Sequence, residues 1–258
     1  MPVKTVESLK KGLDILQAFT SEKPYLKLQE ITKATGLPKA TAYRLLKTLI
    51  EHDYVHYFSD SATFHLGPKV MSLGFSSLSA LDLTEVAQPY LEDLSKRIDQ
   101  NVNLGILDGI DIVYVIRIKK RRIIGINLQV GSRLPAHNTA IGQALLAFLS
   151  PAGLESFKKK LSENRERAEQ IGANGQILLK KLTQVREQGY ALSDGEFAIE
   201  LRSISVPVFK NKGEVEAAIN VPVHSQLCSR ETLVNDYLPS LMEVAKTLSQ
   251  LRGYQPAH

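Results

Sequence analysis

The chain has 258 residues, of which 43% are hydrophobic and 23% charged, so the sequence predicts two domains of ordinary composition. No apolar run reaches the length of a membrane span, and Lys4 and Lys10 interrupt any signal-peptide core, so we expect a cytosolic protein. The net charge of +5 permits nucleic-acid binding without requiring it, and residues 1–80 hold 10 Lys and Arg against 7 Asp and Glu. The single cysteine, Cys228, excludes an internal disulfide.

Two helices are predicted at the start of the chain. Residues 5–19 form the first, and we expect its inner face to hold Leu9, Leu13 and Leu16. Residues 28–35 form a second, short helix. Gly36 should end it, because glycine adopts a positive φ at little cost.

The helix predicted over residues 38–52 has two different faces. Apolar residues repeat at helical spacing on one side, where they would face a core: Ala42, Leu45, Leu46 and Leu49. On the opposite side the same spacing places Ala40, Tyr43, Arg44 and Lys47. These groups can hydrogen-bond base edges and phosphates in a major groove, although a merely solvated helix face has a similar composition.

A β-hairpin follows this helix. Residues 54–66 read as two short strands around Ser59-Asp60-Ser61. Three helices followed by a hairpin are the pattern of a winged helix-turn-helix, in which one helix face holds the fold together and the other enters DNA.

Three motifs in the same order resemble the IclR family of bacterial transcription regulators: GLPKATAYRLLKTL, GSRLPAHNTAIGQALLAFL and GYALSDGEFAIELRSISVPV. The resemblance covers residues 5–252. It implies a winged helix-turn-helix over 1–67, a linker helix over 68–82 and an effector-binding domain related to GAF-type sensors over 83–258. It implies DNA contacts from the residues at the start of the third helix and along its polar face: Lys39, Ala40, Thr41, Tyr43, Arg44 and Lys47.

The linker carries apolar residues among serines that are candidates for contact between subunits: Met71, Leu73, Leu78 and Leu81. Operators read by such helices come as paired half-sites, which requires a dimer. The resemblance implies homodimers that often pair into tetramers. From Leu83 onward an apolar stripe predicts a further helix, which Pro89 should kink.

Beyond residue 102 the periodicity changes to alternating β-branched runs, which predict strands over VNLGIL, DIVYVIRI, IIGINLQV, SISVPVF and VEAAINVPV. The basic stretch KKRR is expected at a solvated hairpin tip. Helices are predicted over residues 138–149, from Ser150-Pro151 onward, over 174–188 with Asn174 as N-cap, and over 229–251. The fold class is therefore α+β, with a mainly antiparallel sheet.

The helix after LPAHNTAIG is the first candidate for a ligand site. With His137 or Asn138 as N-cap, its unpaired N–H groups and helix dipole would attract a small carboxylate. Small residues at Thr139, Ala140 and Gly142 would leave room for the ligand. The alternative is an ordinary capped helix that packs on the sheet.

The resemblance implies a set of effector-binding positions: Leu134, His137, Ala140, Ile141, Ser193 or Asp194, Ser203 and Asn220. Ser203 and Asn220 stand where the family often has cysteine and serine, so a polar pocket is retained but the same ligand is not implied. Tyr114 and Arg117 lie on a strand that could face this pocket or solvent. The stretch from Arg121 to Ala147 is similar to the regulators of aromatic-acid degradation, which implies an aromatic carboxylate as effector.

The competing class is an enzyme, such as a hydrolase acting on small acids, or a sensor without operator specificity. Ser203 and Cys228 have no evident partner histidine, and no metal-protease, nucleophile-elbow or phosphate-loop motif is present. His224 and Cys228 alone do not make a metal site. The sequence therefore predicts a DNA-binding regulator without catalytic residues, metal or cofactor.

Overall fold

The computed structural model describes residues 5–20, 22–79, 82–120, 128–171 and 175–255. The chain divides into two compact units, Met1–Ala80 and Leu81–His258, which we call the first and the second unit. The sequence predicted three segments instead: the winged helix-turn-helix over 1–67, the linker helix over 68–82 and the effector-binding domain over 83–258. These boundaries stay a prediction. No helix among the described residues is long and apolar enough to cross a membrane.

The first unit contains helices and a small antiparallel sheet. Its described elements are α1 (Glu7–Gln17), β1 (Leu26–Lys27), α2 (Leu28–Thr35), α3 (Lys39–Glu51), β2 (Val55–Phe58), β3 (Thr63–Leu66) and α4 (Lys69–Ser79). The strand order is β1-β3-β2, and Val55 pairs with Leu66 at the open end of the β2–β3 hairpin. This hairpin is the predicted wing. The sequence did not reveal β1, which pairs Leu26 with Phe64.

The core of the first unit lies between α1, α2, α3 and the sheet. Its fully or almost fully buried side chains are Ile15, Phe19, Leu26, Ile31, Leu46, Val55 and Phe64. The inner face predicted for α1 is wrong, because Leu9 and Leu13 are 63% and 49% exposed and Ile15 is buried instead. Leu16 packs partly against the core, as expected.

The second unit places helices on a larger sheet. Its described elements are α5 (Asp82–Ile98), β4 (Val102–Asp108), β5 (Asp111–Ile118), β6 (Arg133–Pro135), α6 (Ala140–Leu146), α7 (Pro151–Ser162), α8 (Arg165–Gln170), α9 (Gln176–Gln188), β7 (Ala191–Asp194), β8 (Leu201–Lys210), β9 (Glu214–His224), α10 (Arg230–Thr232), a π-helical turn (Leu233–Tyr237) and α11 (Leu238–Leu251). Every strand pair is antiparallel, in the order β6-β5-β4-β9-β8-β7. The predicted α+β class is confirmed.

Both faces of this sheet are covered. On one face α6 packs against β4, β5, β7, β8 and β9 within an apolar cluster that includes Ile112, Ile141 and Ala218. Along each strand, neighbouring residues point to opposite faces of the sheet. Ile204 and Ile219 point away from α6 and are also fully buried. Polar side chains on the face beneath α6, such as Asn103, Asn220 and Ser205, are therefore removed from water.

Several elements differ from the sequence prediction. The last helix is divided at the π-helical turn, and the sequence did not predict β6, α8 or β7. The helix α5 continues through Pro89. The N-cap of α9 is Gly175. Arg121, Arg122, Asn174 and most of the IIGINLQV run lie outside the described residues.

Candidate nucleic-acid interface and ligand site

A sharp turn positions α3 in the first unit. Gly36 adopts φ +68° at the end of α2, and its N–H donates to the Thr32 carbonyl at 2.9 Å. Because side chains strain the left-handed region, glycine suits this position. Pro38 is the N-cap of α3, and its carbonyl accepts from the Thr41 N–H at 2.9 Å. The predicted turn is present, and α3 begins one residue later than expected.

The two faces of α3 separate as the sequence predicted. Ala42 and Leu46 are fully buried, while Tyr43 is 54% exposed. The other predicted DNA-contacting positions are distributed as follows: Lys39, Ala40, Arg44 and Lys47 are exposed and Thr41 is half-buried. Among the described residues no carboxylate pairs with Arg44 or Lys47. Both cations are therefore available to an anionic partner.

The small sheet supports α3 from the side. A cavity of about 260 Å³ lies between them and is lined by Tyr43 and Lys47 of α3 and by Tyr57 and Phe64 of the wing. Tyr57 and Phe64 pack with their ring centroids 4.8 Å apart. The exposed tyrosine of α3 therefore borders an aromatic groove formed with the wing.

In the second unit, a row of polar side chains crosses the sheet face beneath α6. Strand register places Asn103 opposite both Arg117 and Asn220, and Asn220 opposite Ser205. Directly opposed residues point to the same face of a sheet. Asn103, Asn220 and Ser205 are almost completely buried. Sequence reasoning had found Asn220 but missed Asn103 and Ser205.

Hydrogen bonds hold most of this row in place. The Asn103 amide donates from Nδ2 to Asn220 Oδ1 at 3.0 Å, and Ser205 Oγ donates to the Ile219 carbonyl at 2.8 Å. Asn220 also hydrogen-bonds the Tyr114 side chain, which lowers the pKa of the Tyr114 phenol. Burial has the larger and opposite effect, so the pKa rises to about 12. Tyr114 is therefore neutral at physiological pH and presents a fixed hydroxyl to the row.

A β-bulge brings Tyr114 and Arg117 to the same face. Leu104 pairs with Ile116 and Gly105 with Tyr114, so one extra residue of β5 lies between them. The Arg117 guanidinium lies 5.2 Å from the centroid of the Tyr114 ring. Burial lowers the pKa of Arg117, and the Tyr114 hydroxyl opposes this effect. Both side chains thus face the region beneath α6, a question that the sequence had left open.

A second, shorter polar pair lies beside this row. Ser193 opposes Ser203, and both are buried. The GYALSDGE segment contains the strand β7 (Ala191–Asp194). Asp194 points to the other face and forms an ion pair with Arg202 at 2.8 Å. Of the two alternatives, Ser193 is the one that lies near the polar row.

The start of α6 differs from the expected ligand site. Its N-cap is Thr139, whose Oγ1 accepts from the Gly142 N–H at 3.3 Å, so the prediction of His137 or Asn138 as cap is wrong. A side chain at Gly142 would overlap the backbone of Ala136. The small residue therefore makes room for the protein's own chain rather than for a ligand.

The remaining predicted effector residues surround α6 without converging. Leu134, Ala140 and Ile141 are buried in the apolar cluster. His137 turns toward α8, where its Nε2 lies 2.7 Å from Gln170 Oε1, and it lines a cavity of about 240 Å³ that also contacts Lys181. Burial lowers the pKa of His137 and keeps the ring neutral. Of the predicted set, Leu134, Ser193, Ser203 and Asn220 share the sheet face beneath α6, and the last three are polar.

A helix with an exposed cationic face in the first unit and a buried polar row in the second unit are typical of transcriptional regulators. The chain matches the family model "Bacterial transcriptional regulator IclR C-terminal" over residues 75–250 and "IclR helix-turn-helix domain" over 8–57. It belongs to the IclR family of DNA-binding transcriptional regulators. Its relatives are regulators, so the enzyme alternative is wrong.

Individual relatives are similar over nearly the full chain. The Pca regulon regulatory protein of Pseudomonas putida is 36% identical, over 93% of this chain and 82% of its own. A transcriptional regulator from Rhodococcus sp. RHA1 is 37% identical with TM-score 0.78, covering 96% of this chain and 99% of that one. An IclR homolog from Microbacterium hydrocarbonoxydans, solved with 4-hydroxybenzoate, is 23% identical with TM-score 0.77, over 96% and 100%. This last likeness shows the fold alone.

Proposed function

We propose that α3 enters the major groove of an operator and that its exposed face reads the DNA. The observation that supports this is the separation of faces: Leu46 is fully buried, while Tyr43, Arg44 and Lys47 on the opposite side are exposed. Lys39, Ala40 and Thr41 at the first turn would approach the backbone, where main-chain and cationic groups contact phosphates. Because operator DNA is the partner, we place the action of the protein in the bacterial cytoplasm.

Titration of a short duplex at two salt concentrations tests this assignment. Each phosphate that Lys or Arg neutralises releases counterions, so the logarithm of affinity falls with the logarithm of salt by about 0.9 per contact. We expect a steep slope and a preference for operator over random sequence. A salt-independent affinity would indicate that α3 does not meet DNA.

We propose further that the second unit binds a small organic carboxylate and that this ligand changes operator affinity. The buried polar row of Asn103, Asn220 and Ser205 supports this proposal, because an apolar sheet needs no such groups for its own packing. The relative named for the Pca regulon and the homolog solved with 4-hydroxybenzoate favour an aromatic acid. Linkage requires that DNA change ligand affinity by the same factor.

A thermal-shift screen with aromatic and aliphatic carboxylates tests the ligand class. A ligand that binds only the folded state stabilises it by RT ln(1 + [L]/Kd), so about 100-fold excess over Kd contributes about 2.7 kcal/mol. We expect aromatic acids to raise the melting temperature of the second unit. The same acids should change operator affinity in the DNA titration.

We propose that the protein acts as a homodimer, or as a tetramer of two dimers, on paired half-sites. Met71 and Leu73 of α4 are 62% and 56% exposed, and Val6, Leu9 and Leu13 form an exposed apolar stripe along α1. Leu81 and the side chain of Leu78 lie outside the described residues. Large apolar side chains exposed together favour contact with another chain. Sedimentation equilibrium measures the state directly, and a monomer at micromolar concentration would contradict the proposal.

A further inference from the structure

A cleft of about 440 Å³ lies at one edge of the large sheet, next to the edge strand β7. One wall is the helix α9, and the other is α10 with the π-helical turn that follows it. The volume is within the range of pockets that hold small molecules, roughly 300–1,000 Å³. None of the buried row Asn103, Asn220 and Ser205 lines this cleft, so the two are separate parts of the second unit.

The charged side chains around the cleft balance one another. Lys181 Nζ on α9 lies 2.6 Å from Glu196 Oε2, and Arg230 on α10 lies 3.8 Å from Asp194. Of the described residues, two cations, Lys181 and Arg230, and two carboxylates, Glu196 and Glu231, line the cleft. The lining therefore carries no net charge that would attract an anion or a cation.

Carboxamides dominate the uncharged polar lining. A carboxamide carries donors and acceptors, and so does a hydroxyl group, so the two groups match in either direction. Among the residues that the structure describes, four carboxamides line the cleft: Gln143, Gln184, Gln188 and Asn235. This composition favours a ligand with several hydroxyl groups.

The protein itself holds two of these amides in place. Gln143 is 2% exposed, and its Nε2 donates to the His137 carbonyl at 3.2 Å and to Glu196 Oε2 at 2.8 Å. Both hydrogens of that amide are thereby used, so Oε1 remains as an acceptor for a ligand. Gln188 Nε2 donates to the Tyr190 carbonyl at 2.6 Å. Polar groups that are fixed before binding reduce the entropic cost of binding.

Apolar side chains complete the lining: Tyr190, Val185, Leu192 and Val234. A tyrosine combines an apolar ring with a polar tip. A sugar ring carries hydroxyl groups at its edge and C–H groups on its faces. The cleft therefore offers a partner to both parts of such a molecule.

A proline shapes the wall that carries Asn235. Pro239 has no N–H to donate to the Asn235 carbonyl four residues earlier, and its ring displaces that carbonyl. The hydrogen bonding shifts by one residue, and the Leu238 N–H donates to the Leu233 carbonyl. The resulting π-helical turn brings Val234 and Asn235 to the cleft. Such turns occur frequently at functional sites.

We propose that this cleft binds a neutral polyhydroxylated molecule of monosaccharide size, at a site separate from the buried polar row. The four carboxamides hydrogen-bond its hydroxyl groups, and Tyr190 with its aliphatic neighbours packs against its C–H face. A charged ligand would find no unpaired partner of opposite charge. The carboxylate proposed for the polar row is not involved, so failure of either proposal leaves the other standing.

Calorimetric titration of the full chain with five probes tests the ligand class. D-glucose, D-xylose and myo-inositol are neutral polyols, gluconate is the charged counterpart, and cyclohexanol has a single hydroxyl group. We expect at least one neutral polyol to bind more tightly than gluconate and cyclohexanol. If none of the three polyols binds at about 10 mM, where a site of millimolar Kd is mostly occupied, the proposal is overturned. Equal or tighter binding of gluconate or cyclohexanol would overturn the neutral, polyhydroxylated class.

Two substitutions test the location, because Gln184→Ala and Asn235→Ala remove exposed carboxamides from opposite walls. Each should weaken the best neutral polyol about 2- to 10-fold, the range of one neutral hydrogen bond. Gln176→Ala is the matched control, because Gln176 is also an exposed glutamine of α9 but does not line the cleft. The ligand-free melting temperatures of all three variants should match wild type, since the side chains are exposed. Wild-type polyol affinity in both cleft variants, or an equal loss in the control, would place the site elsewhere and overturn the inference.

Discussion

Replacing Arg44 by alanine is the most direct test of the recognition helix. The side chain is exposed on α3, and none of the described carboxylates pairs with it, so its loss should change the free energy of unfolding by less than about 0.5 kcal/mol. A change in DNA affinity then reports the DNA contact rather than damage to the fold. No other arginine occurs among residues 1–80, so no nearby guanidinium can replace it.

The expected magnitude follows from the contact and from symmetry. A bidentate arginine contact to a base contributes about 1–3 kcal/mol of discrimination, and a dimer on paired half-sites loses it twice. Arg44→Ala should therefore weaken operator binding by about 2–6 kcal/mol, with a much smaller effect on random duplex. Lys47→Ala, if it contacts phosphate, should weaken both and reduce the salt slope by about 0.9 per half-site.

Fluorescence anisotropy with operator and random duplexes measures both affinities. Lys10→Ala is the control for Lys47→Ala, because α1 packs on the buried side of α3 and Lys10 is exposed. The control should bind like wild type. If Arg44→Ala and Lys47→Ala also bind within twofold of wild type on both duplexes, α3 is not the element that reads DNA.

Three further predictions concern stability, measured by urea or thermal denaturation. Ile15→Ala should lower the free energy of unfolding of the first unit by about 2–5 kcal/mol, while Leu13→Ala should cost far less, because the first is buried and the second half-exposed. Gly142→Ala should destabilise the second unit by about 1–3 kcal/mol or more, because the added methyl overlaps the Ala136 backbone; unchanged stability would mean that this loop moves freely. Burial lowers the pKa of His137, aided by Arg167 and Lys181 and opposed by Gln170 and Asp111. The unfolded state therefore takes up the proton first, so stability falls as pH drops through about 6.5 and below, and His137→Gln should flatten the profile between pH 7.5 and 5.5.

Local patterns allowed the sequence to predict α3 well. Its apolar and polar stripes lie on opposite sides, and Gly36 and Pro38 mark its start, so no distant contact was needed. The prediction for α1 failed because two apolar stripes compete on that helix. Leu9 and Leu13 gave the more regular spacing, yet tertiary packing buries Ile15, and periodicity alone cannot choose between the stripes.

The buried polar row proposed as a ligand site was harder to predict from the sequence. Asn103 and Asn220 meet only through strand pairing across 117 residues, which no local pattern reveals. Alternation of polar residues within strands, as in Ser203 and Ser205, was the available signal. The cap of α6 was predicted wrongly because Thr139 directly follows Asn138, which is at least as good an N-cap residue.

The bulge at Val115 has a consequence for how this sensor could be re-engineered. Residues three apart on a regular strand point in opposite directions, and the single additional residue reverses that rule between Tyr114 and Arg117. Deleting Val115 would leave these two residues two positions apart on a regular strand, where both still point to the same face of the sheet. A one-codon deletion should therefore straighten β5 without moving the guanidinium away from Asn103.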